Sequence, residues 1–376
     1  MEIFIKALNN PLQELKELGC EEMGFGIMKN KMQTNCFYIY GLKTPAAQIL
    51  KQEALACGGD FALPRDAILY QQDTYNGILM LNKAQGKALL KKLKIQPFGL
   101  KKVAESLEKH WQRKNFKPRI MGIINATPDS FYKDSQKNTQ EAYKRIFEMI
   151  EEGVDIIDIG GASTRPGSEW VSKEEEMERI KPIVDFIACE KINQRVAFSI
   201  DTYTPEVADY CLKNGFAMVN DITGFQNIKM LEVVEHYDCE CVVMHMQGNP
   251  KEMQKNPYYE NLFFEIDDFF KRQIEALLNH NIKKIILDVG IGFGKSLQHN
   301  CELIRNLKHF LHFGYPLLVG ASRKSMIDKI IPCDVSERLA GSLAIHLESL
   351  KNGASIIRCH DTKEHIQALK VWEALQ

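Results

Sequence analysis

The chain has 376 residues, 45% of them hydrophobic, and a formal net charge of −1; this is room for one large domain, a smaller companion and a sizeable core. So even a balance excludes a global electrostatic pull toward nucleic acid or anionic membrane. No apolar run reaches the roughly 20 residues of a spanning helix, and the opening MEIFIKALNN has no signal-peptide core, so a cytoplasmic location with no membrane or nucleic-acid partner is expected.

Residues 1–112 read as a small α/β accessory domain. NCFYIYG and NGILML carry strand patterning, while PAAQILKQEALACGG and KAQGKALLKKLK are amphipathic at helical spacing. No chemical constellation stands out in this region, and its role is left open. Residues 87–119 hold eleven Lys or Arg against Glu105 and Glu108 alone, which reads as a solvated basic helix and linker. The boundary falls in the connector EKHWQRKNFKPR around Pro118. Ten cysteines run from Cys20 to Cys359 without a CxxC; Cys239 and Cys241 share a strand face, and all read as small apolar groups in a reducing compartment.

From residue 119 onward β-branched runs alternate with helical periodicity. The strands are RIMGIIN, DIIDIGG, VAFSIDT, AMVNDIT, CVVMHM, KIILDVG, PLLVGAS and SIIRCH. Between them lie segments such as TQEAYKRIFEMIEEG and SERLAGSLAIHLESLKNG. Gly153, Gly215 and Gly353 stand where helices end, and Ser172, Thr204 and Ser336 where they begin. Eight strands and about eight helices in the 258 residues from 119 to 376 match a (β/α)8 barrel, whose domain is placed at residues 113–376, although alternation alone also allows a doubly wound sheet.

In a barrel the C-terminal strand ends share one site. Here those ends carry Asn125, Asp201, Asn220, Asp221, Met244, His245, Asp288, Arg358, His360 and Asp361, with GASRKS after the seventh strand. A lone polar strand end is a cap or a turn former, but a polar group at nearly every end points to a common ligand. Asp201, Asn220 and Asp288 suit a heterocycle edge that offers amino, ring N–H and carbonyl groups. Arg165, Arg358 and His360 suit a diphosphate, and Asn125 offers an oxygen to a largely hydrated Mg²⁺.

Rival motifs fail on spacing. GKS at 294–296 lacks the glycine a P-loop needs, since position 289 is Val289, and GIGF meets Lys295 where a dinucleotide fingerprint needs its third glycine. His245 and His360 lack the spacing of a zinc motif. His236, His280, His299, His309, His312 and His365 read as surface or structural.

IMGIINATPDSF, DIIDIGGASTRPG, SIDTY, MVNDI, LDVGIGFGK, VGASRKS and RCHD, in this order and spacing over residues 119–376, resemble the dihydropteroate synthase family. The resemblance implies a TIM barrel that joins 6-hydroxymethyl-7,8-dihydropterin diphosphate to p-aminobenzoate, with Mg²⁺ as cofactor. It implies that Asp201, Asn220, Asp288 and Lys324 read the pterin, with Met244 and Phe293 packed near its ring. It implies Asn125 as the magnesium ligand, Arg358 and His360 as diphosphate anchors, and Thr164 and Arg165 lining the site from the second loop. Phe131, Pro166 and Ser325 match positions around p-aminobenzoate, and Asp201, Lys324, Arg358 and His360 carry the chemistry. A homodimer and sulfonamide sensitivity are implied as well.

The chain departs from the family pattern in SFYKDSQKN, which lacks a glycine usual in the first loop, in Ala162 for a usual Glu and in Val289 for a usual Pro. The runner-up is a pterin-binding methyltransferase barrel, against which STRPG and SRKS together argue. A relative that binds the diphosphate without turning it over is a further alternative.

Overall fold

The computed structural model of the chain describes residues 12–18, 21–112, 114–126, 135–162, 170–248 and 251–375. The chain divides into two compact units, Met1–Arg113 and Lys114–Gln376, where the connector reading divided it after residue 112. Among the described residues no helix is long and apolar enough to cross a membrane.

The first unit holds a three-stranded antiparallel sheet in the order β1 (Thr34–Lys43), β3 (Thr74–Asn82), β2 (Asp60–Ala62). Along the central strand Tyr75, Gly77, Leu79 and Leu81 are buried between exposed Thr74, Asn76 and Ile78, so one face is apolar. Phe61 and Leu79 from that face pack with Leu50, Leu89, Leu93 and Leu107 of helices Thr44–Ala56, Lys83–Leu93 and Leu100–Trp111. Asn82 and Gln85 close a capping box at the start of Lys83–Leu93. The reading from periodicity missed β2, because three residues are too few to show alternation.

The second unit is a closed parallel barrel of β4 (Arg119–Asn125), β5 (Ile156–Gly160), β6 (Ala197–Asp201), β7 (Met218–Asp221), β8 (Glu240–Met244), β9 (Ile285–Asp288), β10 (Leu317–Val319) and β11 (Ile356–Cys359). Strands pair in chain order and β11 closes on β4, which decides the barrel over the doubly wound sheet. Each strand gives one residue to the barrel floor: Met121, Ile156, Ala197, Met218, Val242, Ile286, Leu318 and Ile356. Side chains repeat on one face every second residue, so the next layer is Ile123, Asp158, Ser199, Asn220, Met244, Asp288, Gly320 and Arg358. An apolar floor thus carries a polar layer toward the mouth.

Helix ends follow the sequence with two corrections. Gly153, Gly215 and Gly353 have φ of +92°, +90° and +100°, and the Ser172 hydroxyl accepts from the Glu175 amide. Thr204 stands at an N-cap, but its hydroxyl donates to buried Glu176 at 2.6 Å instead of capping. Ser336 lies inside the short 3₁₀ turn Val335–Glu337, whose cap is Asp334, because the carboxylate takes the cap position two residues earlier.

Candidate functional site

Arg358 organises the polar layer. Its Nε donates to Asp158 Oδ2 at 2.6 Å and its Nη2 to Asp201 Oδ2 at 2.6 Å, so two of its three nitrogens are engaged. Asn220 Nδ2 donates to the same Asp158 oxygen at 3.2 Å. The second oxygens of Asp158 and Asp201, and the Ser199 hydroxyl, are buried without a hydrogen-bond partner among the described residues. A buried polar atom left unpaired costs roughly 1–3 kcal/mol, so this layer favours a ligand rich in N–H groups.

One guanidinium facing two carboxylates leaves a negative charge in excess. Burial pushes Asp201 up to about 7, against the pull of Arg358, and Asp158 adds to the rise. Burial works against the charge on Arg358, yet Asp158 and Asp201 hold its pKa above the usual guanidinium value. Burial also raises Asp288, against Lys324 and the Gly290 amide that donates to it at 2.8 Å.

The loop after β9 is built around close backbone approaches. A Cβ on Gly290 would lie 2.0 Å from the His245 carbonyl oxygen, so only glycine fits. Lys295, 1% exposed, donates to the carbonyls of Phe293 at 2.9 Å and His245 at 3.2 Å and meets His245 Nδ1 at 3.0 Å. Three acceptors thus surround its three donors, a staple between the β8 and β9 loops and not a phosphate ligand. Burial pushes it down to about 7. Lys324 donates to the Ile291 carbonyl, and its ammonium lies 4.5 Å from the Phe293 ring centroid. Burial pushes Lys324 down to about 8, against the pull of Asp288.

The loops after β10 and β11 are joined. The His360 amide donates to Ser322 Oγ at 3.2 Å, and His360 Nδ1 lies 3.0 Å from the same oxygen. Arg323 forms a fork onto Asp361 at 2.9 and 2.6 Å. Ser325 is exposed at the start of helix Ser325–Ile330. Asn125 ends β4, and a Cβ on Gly160 would lie 3.9 Å from its Oδ1 and 3.7 Å from Asp201 Oδ2. A neutral oxygen near a carboxylate fits a hard divalent cation that keeps most of its waters.

Asp201, Asn220, Met244, Asp288 and Arg358 therefore share the barrel mouth, with Lys324 and Phe293 in contact beside them. Thr164, Arg165, Phe131 and Pro166 lie outside the described residues. Ala162 and Val289, two departures from the family pattern, are both buried. Sequence reasoning missed Asp158, Ser199, Ser322 and Lys295. The first two were reachable by counting two residues up from Ile156 and Ala197 on the inward face. Asp221 is turned away: its carboxylate accepts from the Thr223 and Phe225 amides, a turn-forming role.

The chain matches known proteins over this region and, in one case, beyond it. The profile of the pterin binding enzyme family matches residues 121–360. A bifunctional dihydropteroate synthase/dihydropteroate reductase of Helicobacter pylori is 44% identical over 371 residues, covering 98% of this chain and 97% of that protein. The dihydropteroate synthase of Escherichia coli K12 is 45% identical over 262 residues, 68% of this chain and 91% of its own. The structure of a Yersinia pestis dihydropteroate synthase with a sulfonamide drug superposes with a TM-score of 0.64 at 40% identity, over 69% of this chain and 94% of that one.

Proposed function

The chain belongs to the dihydropteroate synthase family of pterin-binding enzymes, and from that premise we propose how its barrel mouth works. It is a transferase of folate biosynthesis that condenses 6-hydroxymethyl-7,8-dihydropterin diphosphate with p-aminobenzoate, giving 7,8-dihydropteroate and pyrophosphate. The observation that carries the reading is the set of unpartnered buried oxygens on Asp158, Asp201 and Ser199, which an amino-substituted pterin edge would satisfy.

In this reading Asp201, Asn220 and Asp288 take the pterin's N–H groups, Lys324 donates to its acceptor atoms, and Met244 and Phe293 pack against the ring. Arg358 and His360 receive the diphosphate. Drawing the guanidinium toward the diphosphate loosens it from Asp201. That carboxylate then faces the pterin cation formed when the C–O bond breaks and the pyrophosphate departs with the electron pair. The arylamine nitrogen attacks the cation's methylene carbon and loses its proton. Asn125 would hold Mg²⁺, which supplies charge compensation on the leaving pyrophosphate. Thr164, Arg165, Phe131, Pro166 and Ser325 complete the proposal as the second-loop and arylamine contacts, where a sulfonamide would compete. A homodimer is proposed with them, checked by sedimentation. So is a cytoplasmic location, supported by the described cysteines all being free.

The test is pyrophosphate release by the purified chain with pterin diphosphate and Mg²⁺, with and without p-aminobenzoate, alongside Lys324→Ala. Arylamine-dependent release that is lost in the variant supports the synthase. Binding of the diphosphate without arylamine-dependent turnover would instead support a non-catalytic relative.

A second activity is proposed alongside the first. The Helicobacter relative, whose name adds dihydropteroate reductase, matches across 98% of this chain, whereas the Escherichia synthase matches 68%. The first unit is thus common ground with a bifunctional protein. A reductase would add a hydride and a proton across the N5–C6 double bond of 7,8-dihydropteroate, with an external two-electron donor. Tetrahydropteroate formation from dihydropteroate and a dihydronicotinamide or a dihydroflavin, read by chromatography, checks it; absence of product with both donors removes the reading.

A further inference from the structure

We propose that His346 and His365 are positioning residues, a buried two-ring spacer that fixes the distance between the loops carrying Lys324 and His360. The proposal rests on the synthase reading of those loops. His346 belongs to helix Leu339–Lys351 and His365 to helix Thr362–Ala374; they are 1% and 3% exposed. The Ala321 amide, in the loop after β10, lies 3.0 Å from His346 Nε2. An amide can only donate, so Nε2 is bare and the proton sits on Nδ1. That nitrogen is 2.8 Å from His365 Nε2, which must then accept. The second ring in turn carries its proton on Nδ1, 2.6 Å from the Asp361 carbonyl oxygen. Three hydrogen bonds run head to tail from the β10 loop to the β11 loop, each fixing the tautomer of the next.

Packing alone does not call for this pair. Ile120, Leu343, Leu350, Ile357 and Leu369 line one small cavity together with the rings, and a leucine or phenylalanine would suit such apolar surroundings without desolvating two imidazoles. What the rings add is direction and a fixed span. His365, Lys324 and His360 bear on His346 against its charged form, while Asp361 and Glu364 bear on His365 in favour of it. Both rings are held neutral, chiefly by burial. Arg323–Asp361 joins the same loops, but its side chains are 24% and 17% exposed, where solvent and salt weaken a charge pair. The buried relay does not weaken in that way.

Two variants separate the links. His346→Gln sets a carbonyl oxygen where Nε2 stood and keeps the Ala321 bond but removes the donor to His365; His346→Asn keeps a donor toward His365 and orphans the Ala321 amide. The relay requires that each variant, with one link broken, raise KM for the pterin diphosphate about tenfold with kcat changed less than about threefold. A KM within about threefold of the parent in either variant overturns it. If the parent itself releases no pyrophosphate, the synthase reading fails separately. The relay is then read from histidine ¹⁵N resonances of the parent chain, where both rings must show protonated Nδ1 and bare Nε2. A protonated Nε2 on either ring overturns it, whether or not the variants fold.

Discussion

Nη2 of Arg358 lies 2.6 Å from Oδ2 of Asp201, a residue 157 positions earlier in the chain. The contact joins β11 to β6 across the mouth, and Asp158 takes the Nε of the same guanidinium. A single cation therefore serves two buried anions, and the arrival of a diphosphate competes with them for it.

Removing that cation is expected to cost both stability and turnover. Arg358→Met leaves Asp158 and Asp201 buried without their partner, a loss of about 3–5 kcal/mol for a broken buried pair. The melting temperature should fall, less so below pH 7, where Asp201 takes up its proton. Arylamine-dependent pyrophosphate release should drop about 100-fold or more. A variant with the parent's melting curve and rate would remove Arg358 from the site.

The pH dependence of stability carries two signatures of opposite sign. Asp201 is raised to about 7 in the folded chain, against about 3.9 for an unfolded aspartate. Its contribution is complete below pH 4 and is lost as pH rises through 7. Lys324 is lowered to about 8, against about 10.4 unfolded. Its contribution is present above 10.4 and is lost as pH falls through 8. Urea midpoints across pH 4–10.5 should therefore slope less steeply in Asp201→Asn at the acid side and in Lys324→Met at the alkaline side. Unchanged slopes in both would mean that neither group titrates as its burial requires.

Asp158, absent from the residues singled out by motif, accepts from both Arg358 and Asn220. Asp158→Asn can keep both of these bonds on its single oxygen, but it removes the charge facing Arg358 and sets an N–H where the unpaired oxygen stood, toward the pterin's own N–H groups. KM for the pterin diphosphate should rise about 10- to 100-fold with the fold intact by circular dichroism. An unchanged KM would leave Asp158 as scaffold only.

Magnesium dependence should track Asn125. Chelation is expected to suppress pyrophosphate release by the parent. Asn125→Ala should raise the Mg²⁺ concentration for half-maximal rate about tenfold, since it removes the side-chain oxygen proposed to hold the ion. Equal Mg²⁺ requirements in parent and variant would assign the ion elsewhere.

The barrel unit has a hydrophobic cluster of its own, and the Escherichia synthase matches over 262 residues. Residues 114–376 expressed alone are therefore expected to keep arylamine-dependent release within about threefold of the full chain while losing any dihydropteroate reduction. Loss of both activities in a folded fragment would tie the first unit to the synthase reaction itself.

Much was legible in the sequence because barrels write themselves locally. Short β-branched runs followed by polar residues, as at Asn125, Asp201, Asn220, Asp288 and Arg358, name both the strands and the shared end of the barrel, since strands buried on both faces are apolar throughout and that composition is local. Short or shared features were not legible. Strand β2 is too brief to alternate, Thr204 gave up its cap to a buried carboxylate from another helix, and nothing in the sequence pairs Lys295 with its acceptors on His245 and Phe293. Tertiary structure alone decided that Arg358 holds Asp158 and Asp201 together, and that His346 and His365 form one chain of protons between two loops. These partners lie far apart in sequence, and a hydrogen bond is specified by distance and direction in space, which closing the barrel fixes and residue order does not.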